Sequence, residues 1–249
     1  MKRKWIFILA VFWLFSSCDT DSGVDCFKKQ GRIITDRAEV EEFSKISISK
    51  GIELYIKQAE EYKVRVEAGK NFIDDIKFFV EDGELFIKDN SNCQMLRNYH
   101  PAKVYVSTPK LENIYSSSQY NISSEGVLKF PKLQLQSGLV SETPSGIYNL
   151  QIENEELKIQ DNVSAVYQIQ GKTNNLEVWF WGQNGRFEGE NLKAKEIQVY
   201  HRSANDMFVY PLNKISGTIR LTGNVVLKNI PSEIEVEELS TGKLIFPEE

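Results

Sequence analysis

Short runs of alternating hydrophobic and polar residues recur through the carboxy-terminal half of the chain, and such alternation predicts half-buried strands. The runs begin at Leu111, Leu133, Leu157, Leu176, Ile197, Ile219 and Ile234. These starts are 22, 24, 19, 21, 22 and 15 residues apart, and a glycine or proline follows most of them within the same repeat. Each repeat would form one turn, or rung, of a solenoid. A rung of this length can bury its apolar side only against the rungs before and after it. Residues 110–249 are therefore predicted to form a right-handed parallel β-helix-like solenoid, degenerate at the last two starts.

The amino-terminal part shows alternation of a different kind. Residues 46–56 and 64–66 alternate in polarity, and Asp82-Gly83 separates two apolar runs. An Asp-Gly pair between such runs is typical of a type I′ hairpin, because both central positions need a positive φ. We expect residues 33–109 to form antiparallel strands and hairpins that cap one open end of the solenoid. The predicted fold class is therefore all-β.

The first residues carry the features of an export signal. Three basic residues at positions 2–4 precede an apolar run, Trp5–Phe15, which is too short to span a bilayer. Ser16-Ser17 then leads into Cys18. A cysteine directly after small residues resembles the lipidation site of bacterial lipoproteins.

This resemblance implies removal of residues 1–17 and acylation, with palmitate among the chains, of Cys18. Residues 18–32 would then form the lipidated end and a tether. Phe15 departs from the lipoprotein pattern, in which Leu is more frequent at that position. The alternative is a secreted protein in which Cys18 is a thiol. The predicted location is the cell envelope, as an outer membrane lipoprotein on the periplasmic side or at the cell surface.

The charge balance argues against one class of partner. Without residues 1–17 the chain keeps 27 of its 30 Lys and Arg residues against 35 Asp and Glu residues, a formal net charge of −8. No basic tract is present, so we expect no nucleic acid partner and no electrostatic binding to anionic lipid. The expected contact with the membrane is the lipid anchor alone.

Two further cysteines, Cys26 and Cys93, are left after Cys18 is assigned to lipid. Two cysteines in an exported protein most simply form one disulfide, which would tie the amino-terminal end to the domain. The alternative is a pair of free thiols.

The amino-terminal half resembles a known family, the head GIN domain proteins described as putative auto-transporter adhesins of Bacteroidetes-type bacteria. The similar segments are FSKISISKGIELYIKQ, VRVEAGKNFIDDIKFFVEDGELFIKD and NCQMLRNYHPAKVYVSTPKLENI. The carboxy-terminal half is similar only in its repeats. The resemblance implies one all-β domain, divided here into residues 33–109 and 110–249, on an exported or lipid-anchored protein. It brings no catalytic residues.

Motifs for catalysis are absent from the sequence. It has no GxSxG, HExxH or P-loop motif, and no CxxC pair or Cys/His cluster that would bind zinc. Asp161 and His201 fall two rungs apart, a distance of ~10 Å that is too long for a direct dyad. His100 precedes Pro101 in a predicted loop. We expect no catalytic residue, no metal and no cofactor.

One rung, LEVWFW from Leu176, is rich in aromatic residues. If its leucine faces the core, Trp179 and Trp181 lie on the outer face. The next rung then places Tyr200 beside Trp179 and Arg202 beside Trp181. With the preceding rung, the candidate binding face consists of Gln160, Asn162, Trp179, Trp181, Tyr200 and Arg202.

This face has three interpretations. Aromatic, amide and guanidinium groups suit stacking on sugar rings and hydrogen bonding to hydroxyls. Trp, Tyr and Arg also dominate the energetics of protein interfaces and of self-association. The third interpretation is a cross-rung ladder that only stabilises the solenoid. The leading prediction is a non-enzymatic, lipid-anchored envelope protein that presents an adhesin-like surface to a glycan or protein ligand. The alternatives are a carbohydrate-active enzyme on a β-helix and a structural envelope component, and the oligomeric state is left open.

Overall fold

The computed structural model describes residues 29–91, 100–138 and 145–247. These residues form seventeen strands and one short 3-10 turn at Ile73–Asp75. In chain order the strands are β1 (Ile33–Glu39), β2 (Lys45–Ile48), β3 (Ile52–Gln58), β4 (Lys63–Gly69), β5 (Ile76–Glu81), β6 (Glu84–Asp89), β7 (Ala102–Thr108), β8 (Asn113–Ser116), β9 (Ile122–Leu128), β10 (Lys132–Ser137), β11 (Ile147–Asp161), β12 (Val166–Phe180), β13 (Arg186–His201), β14 (Met207–Ile219), β15 (Val225–Leu227), β16 (Glu233–Glu238) and β17 (Leu244–Ile245). The predicted all-β fold, with a β-solenoid of about six turns and an antiparallel amino-terminal part, is confirmed.

The solenoid has two parallel faces. The front face runs through β6, β2, β8, β10, the second halves of β11 to β14, and β16. The back face runs through β7, β3, β9, the first halves of β11 to β14, β15 and β17. Each of the four long strands, β11 to β14, therefore begins on the back face and ends on the front face. The two faces enclose one continuous core.

The inward column of the front face gives the true repeat. Ile197 pairs with Ile215, and Ile215 pairs with Ile234, so these rungs are 18 and 19 residues apart. The predicted start at Ile219 was wrong, because Ile215 and Ile219 are both buried on the same strand and the shorter alternation around Gly217 hid the first of them. Gly217 has a φ of 129°, and a Cβ there would lie 1.9 Å from the carbonyl oxygen of Val199. The chain at this position requires glycine.

Two strands of the amino-terminal part do not follow the predicted antiparallel arrangement. The strand β4 pairs antiparallel with both β1 and β7, and β5 pairs antiparallel with β6. In contrast, β2 lies parallel between β6 and β8, and β3 lies parallel between β7 and β9. Residues 45–58 therefore form a rung of the stack itself. Their polarity pattern could not reveal this, since alternation has the same period in both kinds of pairing.

The hairpin predicted at Asp82-Gly83 is confirmed. Glu81 pairs with Glu84 across the turn, and the two central residues have φ angles of 50° and 73°. Both positions thus adopt the positive φ that a type I′ turn needs.

Candidate functional site

The candidate face lies on the front face, where the second halves of β11, β12 and β13 are adjacent. Trp179 pairs in register with Gln160 on one side and with Tyr200 on the other. The backbone N–H of Arg202 donates to the carbonyl oxygen of Phe180 at 3.1 Å, which places Arg202 next to Trp181. The predicted register of these rungs is confirmed.

Burial separates the two sides of the aromatic rung. Leu176, Val178 and Phe180 are at most 1% exposed and point into the core. Trp179 and Trp181 lie on the outer face, where both are half-buried. Neighbouring side chains therefore cover part of each tryptophan, and their contacts decide which surfaces a ligand can reach.

The rings of Trp179 and Tyr200 form a stack along the solenoid axis. Their centroids are 6.3 Å apart at an interplanar angle of 27°. The Lys158 ammonium lies 5.1 Å from the Trp179 centroid, on the rung before, and the Arg220 guanidinium lies 5.1 Å from the Tyr200 centroid, on the rung after. Both faces of each ring are thus occupied by side chains of this protein, and the Nε1 atom of Trp179 is buried.

Trp181 and Arg202 lie beside this stack. The plane of Trp181 is turned by 81° from that of Trp179, with the centroids 6.1 Å apart. Arg202 is exposed, and its Nη1 donates to the Trp181 carbonyl oxygen at 3.1 Å. This hydrogen bond positions the guanidinium but leaves its other N–H donors available, since a guanidinium carries five.

The amide side of the face is a ladder of hydrogen bonds. Gln134 and Gln136 both donate to Oε1 of Gln160, at 2.6 Å and 2.9 Å. Asn113 donates to Gln136 at 2.7 Å in turn. Gln160 is therefore the end of an internal amide ladder, whereas Asn162 is exposed in the turn that follows.

Sequence reasoning missed Arg220 as a member of the face. A repeat counted from Ile219 would place Arg220 beside Gln198, two outward positions before Arg202 on the same side of the strand. The observed pairing of His201 with Ile219 places Arg220 beside Arg202, and the Arg220 N–H donates to the His201 carbonyl oxygen at 2.8 Å. Starting the repeat at Ile215 would have found it.

Asp161 lies directly beneath this face, in the core. It accepts hydrogen bonds from the backbone N–H groups of Val163 at 2.7 Å and Ala165 at 3.1 Å, and from the Tyr167 hydroxyl at 3.3 Å. Burial raises the pKa of Asp161 from 3.8 to about 6, although these hydrogen bonds oppose the rise. Because its oxygens are used by its own turn and it is fully buried, Asp161 organises the corner of a rung and cannot reach a substrate.

His201 lies two rungs from Asp161 in the same inward column, and Phe180 separates them. The Phe180 and His201 rings are 6.2 Å apart. Burial lowers the pKa of His201 from 6.5 to about 4, although backbone groups of Asn205 and Gly223 oppose the fall. The imidazole is therefore a neutral core side chain, and no dyad with Asp161 exists.

The exposed strand β16 brings two acidic side chains together. Glu233 and Glu235 both form ion pairs with Lys214, and hydrogen bonding to Lys214 lowers the pKa of Glu235. A general acid of a glycosidase requires a raised pKa, so this pair has the wrong electrostatics.

His100 lines a cavity of about 60 Å³ near the 3-10 turn. Ligand pockets are several times larger, at ~300–1,000 Å³. Across residues 29–91, 100–138 and 145–247, no group of three His, Cys, Asp or Glu side chains could hold a metal ion. No described helix is long and apolar enough to cross a membrane. Cys18, Cys26 and Cys93, the predicted lipid and disulfide sites, lie outside the described residues.

Comparison with known proteins identifies relatives by family and by fold. The family model described as "Putative auto-transporter adhesin, head GIN domain" matches residues 42–231, most of the chain. No curated protein matches.

Solved structures with the same fold include proteins of Bacteroides and Parabacteroides species. A putative adhesin from Bacteroides fragilis superposes with a TM-score of 0.78 at 19% identity, covering 87% of this chain and 97% of its own. A putative lipid binding protein from Parabacteroides distasonis superposes with a TM-score of 0.65 at 14% identity, covering 88% of this chain and 98% of its own. A putative adhesin from Parabacteroides merdae superposes with a TM-score of 0.60 at 13% identity, covering 86% of this chain and 97% of its own. At these identities the similarity establishes the fold alone.

Proposed function

Since the chain belongs to the head GIN domain family of putative auto-transporter adhesins, we propose that it is a non-enzymatic, adhesin-like protein of the cell envelope. Its binding surface is the face formed by Gln160, Asn162, Trp179, Trp181, Tyr200 and Arg202, and its ligand is a glycan or a protein.

The alignment of Trp179 with Tyr200, beside Trp181 and Arg202, carries this proposal. Tryptophan, tyrosine and arginine are the residues that most often dominate binding energy when they are clustered on a surface. Here they are held by a rigid stack of rungs, so little side-chain freedom is lost when a ligand binds.

The enzymatic alternative has less support. Asp161 and His201, which lie buried beneath the face, are inaccessible and separated by Phe180. The exposed carboxylates Glu233 and Glu235 both form ion pairs with Lys214, which holds them in the charged form. None of these groups could protonate a leaving group at the candidate face.

The proposal is tested with the soluble domain that lacks residues 1–18, applied to an array of glycans and of purified envelope proteins. Trp179→Ala with Trp181→Ala should weaken binding of an array ligand by more than ~2 kcal/mol, as interface anchors do. Phe79→Ala and Phe86→Ala form the matched control, because these rings stack on β5 and β6, at the other end of the sheet that forms the front face. An array without a ligand, or equal losses in both double variants, would refute the proposed surface.

We further propose that Cys18 carries the lipid anchor and that the protein is an outer membrane lipoprotein. The basic start, the short apolar run and the Ser-Ser-Cys ending support this assignment. Expression of Cys18→Ser with a radiolabelled fatty acid should abolish labelling of the membrane fraction, while Cys26→Ser should retain it. Undiminished labelling of Cys18→Ser would refute the anchor.

We also propose a disulfide between Cys26 and Cys93, since an exported chain reaches an oxidising compartment. It would close a loop of 66 intervening residues. Peptide mapping without reductant should recover the linked pair, and alkylation of both thiols in the native protein would contradict it.

A further inference from the structure

A second aromatic stack lies on the outer side of the back face, near its amino-terminal end. The rings of Tyr55 on β3 and Tyr105 on β7 are 4.8 Å apart, with an interplanar angle of 14°. The Arg65 guanidinium on β4 lies 3.6 Å from the Tyr105 centroid. Because β7 pairs with β3 on one side and with β4 on the other, Tyr105 is covered on both of its faces.

The stack ends at Tyr55, because the next rung has a small residue in register with it. Tyr55 pairs with Ser123 of β9, whose hydroxymethyl group is too short to cover a phenol ring. Among the described residues, Tyr105 is the only aromatic residue that stacks on Tyr55, and no cation lies over its ring. The face of Tyr55 that looks towards β9 is therefore not occupied by a ring or a cation. In the stack of the candidate face, by contrast, both faces of each ring are occupied.

Hydrogen-bonding groups without partners border this ring face. Ser123 pairs in register with Asn149 of the following rung, and Glu125 lies two residues beyond Ser123. The side chains of Ser123, Glu125 and Asn149 form no hydrogen bond or ion pair with another described residue. The amides of the candidate face differ, because they bond to one another in a ladder.

The Tyr55 ring is held in place before any ligand arrives. Its hydroxyl donates to the Glu53 carboxylate at 2.8 Å, and its other face packs on Tyr105. Burial, the hydrogen bond to Glu53 and the charge of the nearby Glu125 carboxylate raise the pKa of Tyr55 to about 12. A ring fixed in this way loses little conformational freedom when a ligand stacks on it.

The chemistry of this surface suits a sugar. One side of a pyranose ring presents C–H groups that pack on an aromatic face, and its hydroxyls project from the ring edge. These hydroxyls can donate to the Glu125 carboxylate, and they can both donate to and accept from the Asn149 amide and the Ser123 hydroxyl. An apolar peptide side chain would use the ring but none of these polar groups.

The charges beside the stack are balanced. Arg65 forms an ion pair with Glu67, which also accepts from the Tyr105 hydroxyl at 3.2 Å. Lys57 and Glu125, which are of opposite charge, line the same cleft next to Tyr105. A surface without net charge attracts no ionised ligand from a distance, so the site favours a neutral sugar over a uronic acid.

We propose that the back face carries a second ligand site, in which a neutral sugar of a glycan stacks on the uncovered face of Tyr55 and hydrogen-bonds to Ser123, Glu125 and Asn149. The site lies on the opposite side of the solenoid from the candidate face, so it goes beyond the proposed binding surface and does not rest on it.

Isothermal titration of the soluble domain with neutral oligosaccharides of glucose, mannose, galactose or N-acetylglucosamine, and with an oligogalacturonide, tests the site. The wild-type domain should bind at least one neutral oligosaccharide, and more tightly than the oligogalacturonide. Tyr55→Ala should weaken that binding by about tenfold or more, because the stacking surface is lost. Absence of neutral binding, tighter binding of the acidic oligosaccharide, or wild-type affinity in Tyr55→Ala would overturn the inference.

A second variant keeps the tyrosine and fills the space beside it. Ser123→Phe places a ring in register with Tyr55, where it should extend the stack, abolish binding and raise the urea concentration at the unfolding midpoint. The matched control Ser123→Ala leaves the space open and should lose at most about fivefold in affinity, the effect of one neutral hydrogen bond. Binding by Ser123→Phe at the wild-type affinity would show that the sugar does not occupy this space.

The covered stack of the front face provides the control for position. Tyr200→Ala, and the double variant of Trp179 and Trp181, should bind the neutral oligosaccharide like the wild type, because these rings lie on the other side of the solenoid. A loss in these variants instead of in Tyr55→Ala would support the candidate face and overturn the back-face site. A loss in Tyr55→Ala alone would support the back-face site, whatever the array shows for the candidate face.

Discussion

Successive residues of the same three strands take opposite roles on the two sides of the front face. The inward members are fully buried and hold the rungs together, whereas the outward members are half-buried and form the candidate surface. The inward members are Asp161, Phe180 and His201, and the outward members are Gln160, Trp179 and Tyr200. The contrast shows how a solenoid separates stability from binding by one step along the chain.

The chemistry of the two sides differs as well. The inward side contains two titratable groups whose pKa values are shifted in opposite directions by the same cause, burial. The outward side keeps its charged groups in water, where guanidinium groups interact at little desolvation cost. Shifted pKa values therefore mark structural residues on this side of the protein, although in other proteins such shifts often mark catalytic sites.

Truncation of adjacent aromatic residues should show the largest difference between the two sides. Phe180→Ala should lower the free energy of unfolding by ~3–5 kcal/mol, because it leaves a cavity in the core. Trp179→Ala should cost only ~1–2 kcal/mol, the contribution of a stacked ring and a cation–π contact. Urea unfolding measures both, and equal losses would mean that the outward ring is part of the core.

The imidazole of His201 should make the inward side sensitive to acid. Its folded-state pKa is lowered from 6.5 to about 4, so below pH 6.5 the unfolded chain takes up a proton that the folded chain does not. Stability from this group is thus complete above pH 6.5 and is lost as the pH falls towards 4.

Leucine cannot take up a proton, so this loss should disappear in His201→Leu. Between pH 7 and pH 4, the free energy of unfolding of the variant should rise by ~3 kcal/mol relative to that of the wild type. Urea unfolding at several pH values measures it. Parallel pH profiles of variant and wild type would contradict the buried neutral state.

The carboxyl of Asp161 should respond in the opposite sense. Its folded-state pKa is raised from 3.8 to about 6, so the folded chain retains a proton that the unfolded chain releases between these values. The wild type therefore gains stability from this group as the pH falls from 7 to 4, by ~2 kcal/mol. Asp161→Asn cannot ionise and should lack the gain, and an unchanged pH profile in that variant would exclude the shift.

The smallest effects are expected among the outward amides. Gln160→Ala removes the acceptor shared by Gln134 and Gln136 and should cost ~1 kcal/mol. Asn162→Ala, at an exposed turn position, should change stability by less than ~0.5 kcal/mol. The two variants compared by urea unfolding separate the internal ladder from the free surface, and a larger loss in Asn162→Ala would reverse that assignment.

Much of the candidate face could be predicted from the sequence. Leu176, Val178 and Phe180 had to face inward, because a shift by one residue would have exposed the whole apolar column. Once two successive rungs of nearly constant length were recognised, Trp179 and Tyr200 fell in register. The covering of their ring faces by Lys158 and Arg220 could not be predicted, since it depends on side-chain conformations across three rungs.

The sequence by itself determined the strands, their inward sides, the Asp82-Gly83 hairpin and the family, because each of these depends on a local pattern. Only the tertiary structure decided that β2 and β3 join the parallel stack, that Ile215 aligns with Ile197, and that Arg220 lies beside Arg202. These features depend on which strands pair over long range and on how many residues each corner uses. Alternation with a period of two is identical in every strand, so it specifies the side of a residue but not the partner of its strand.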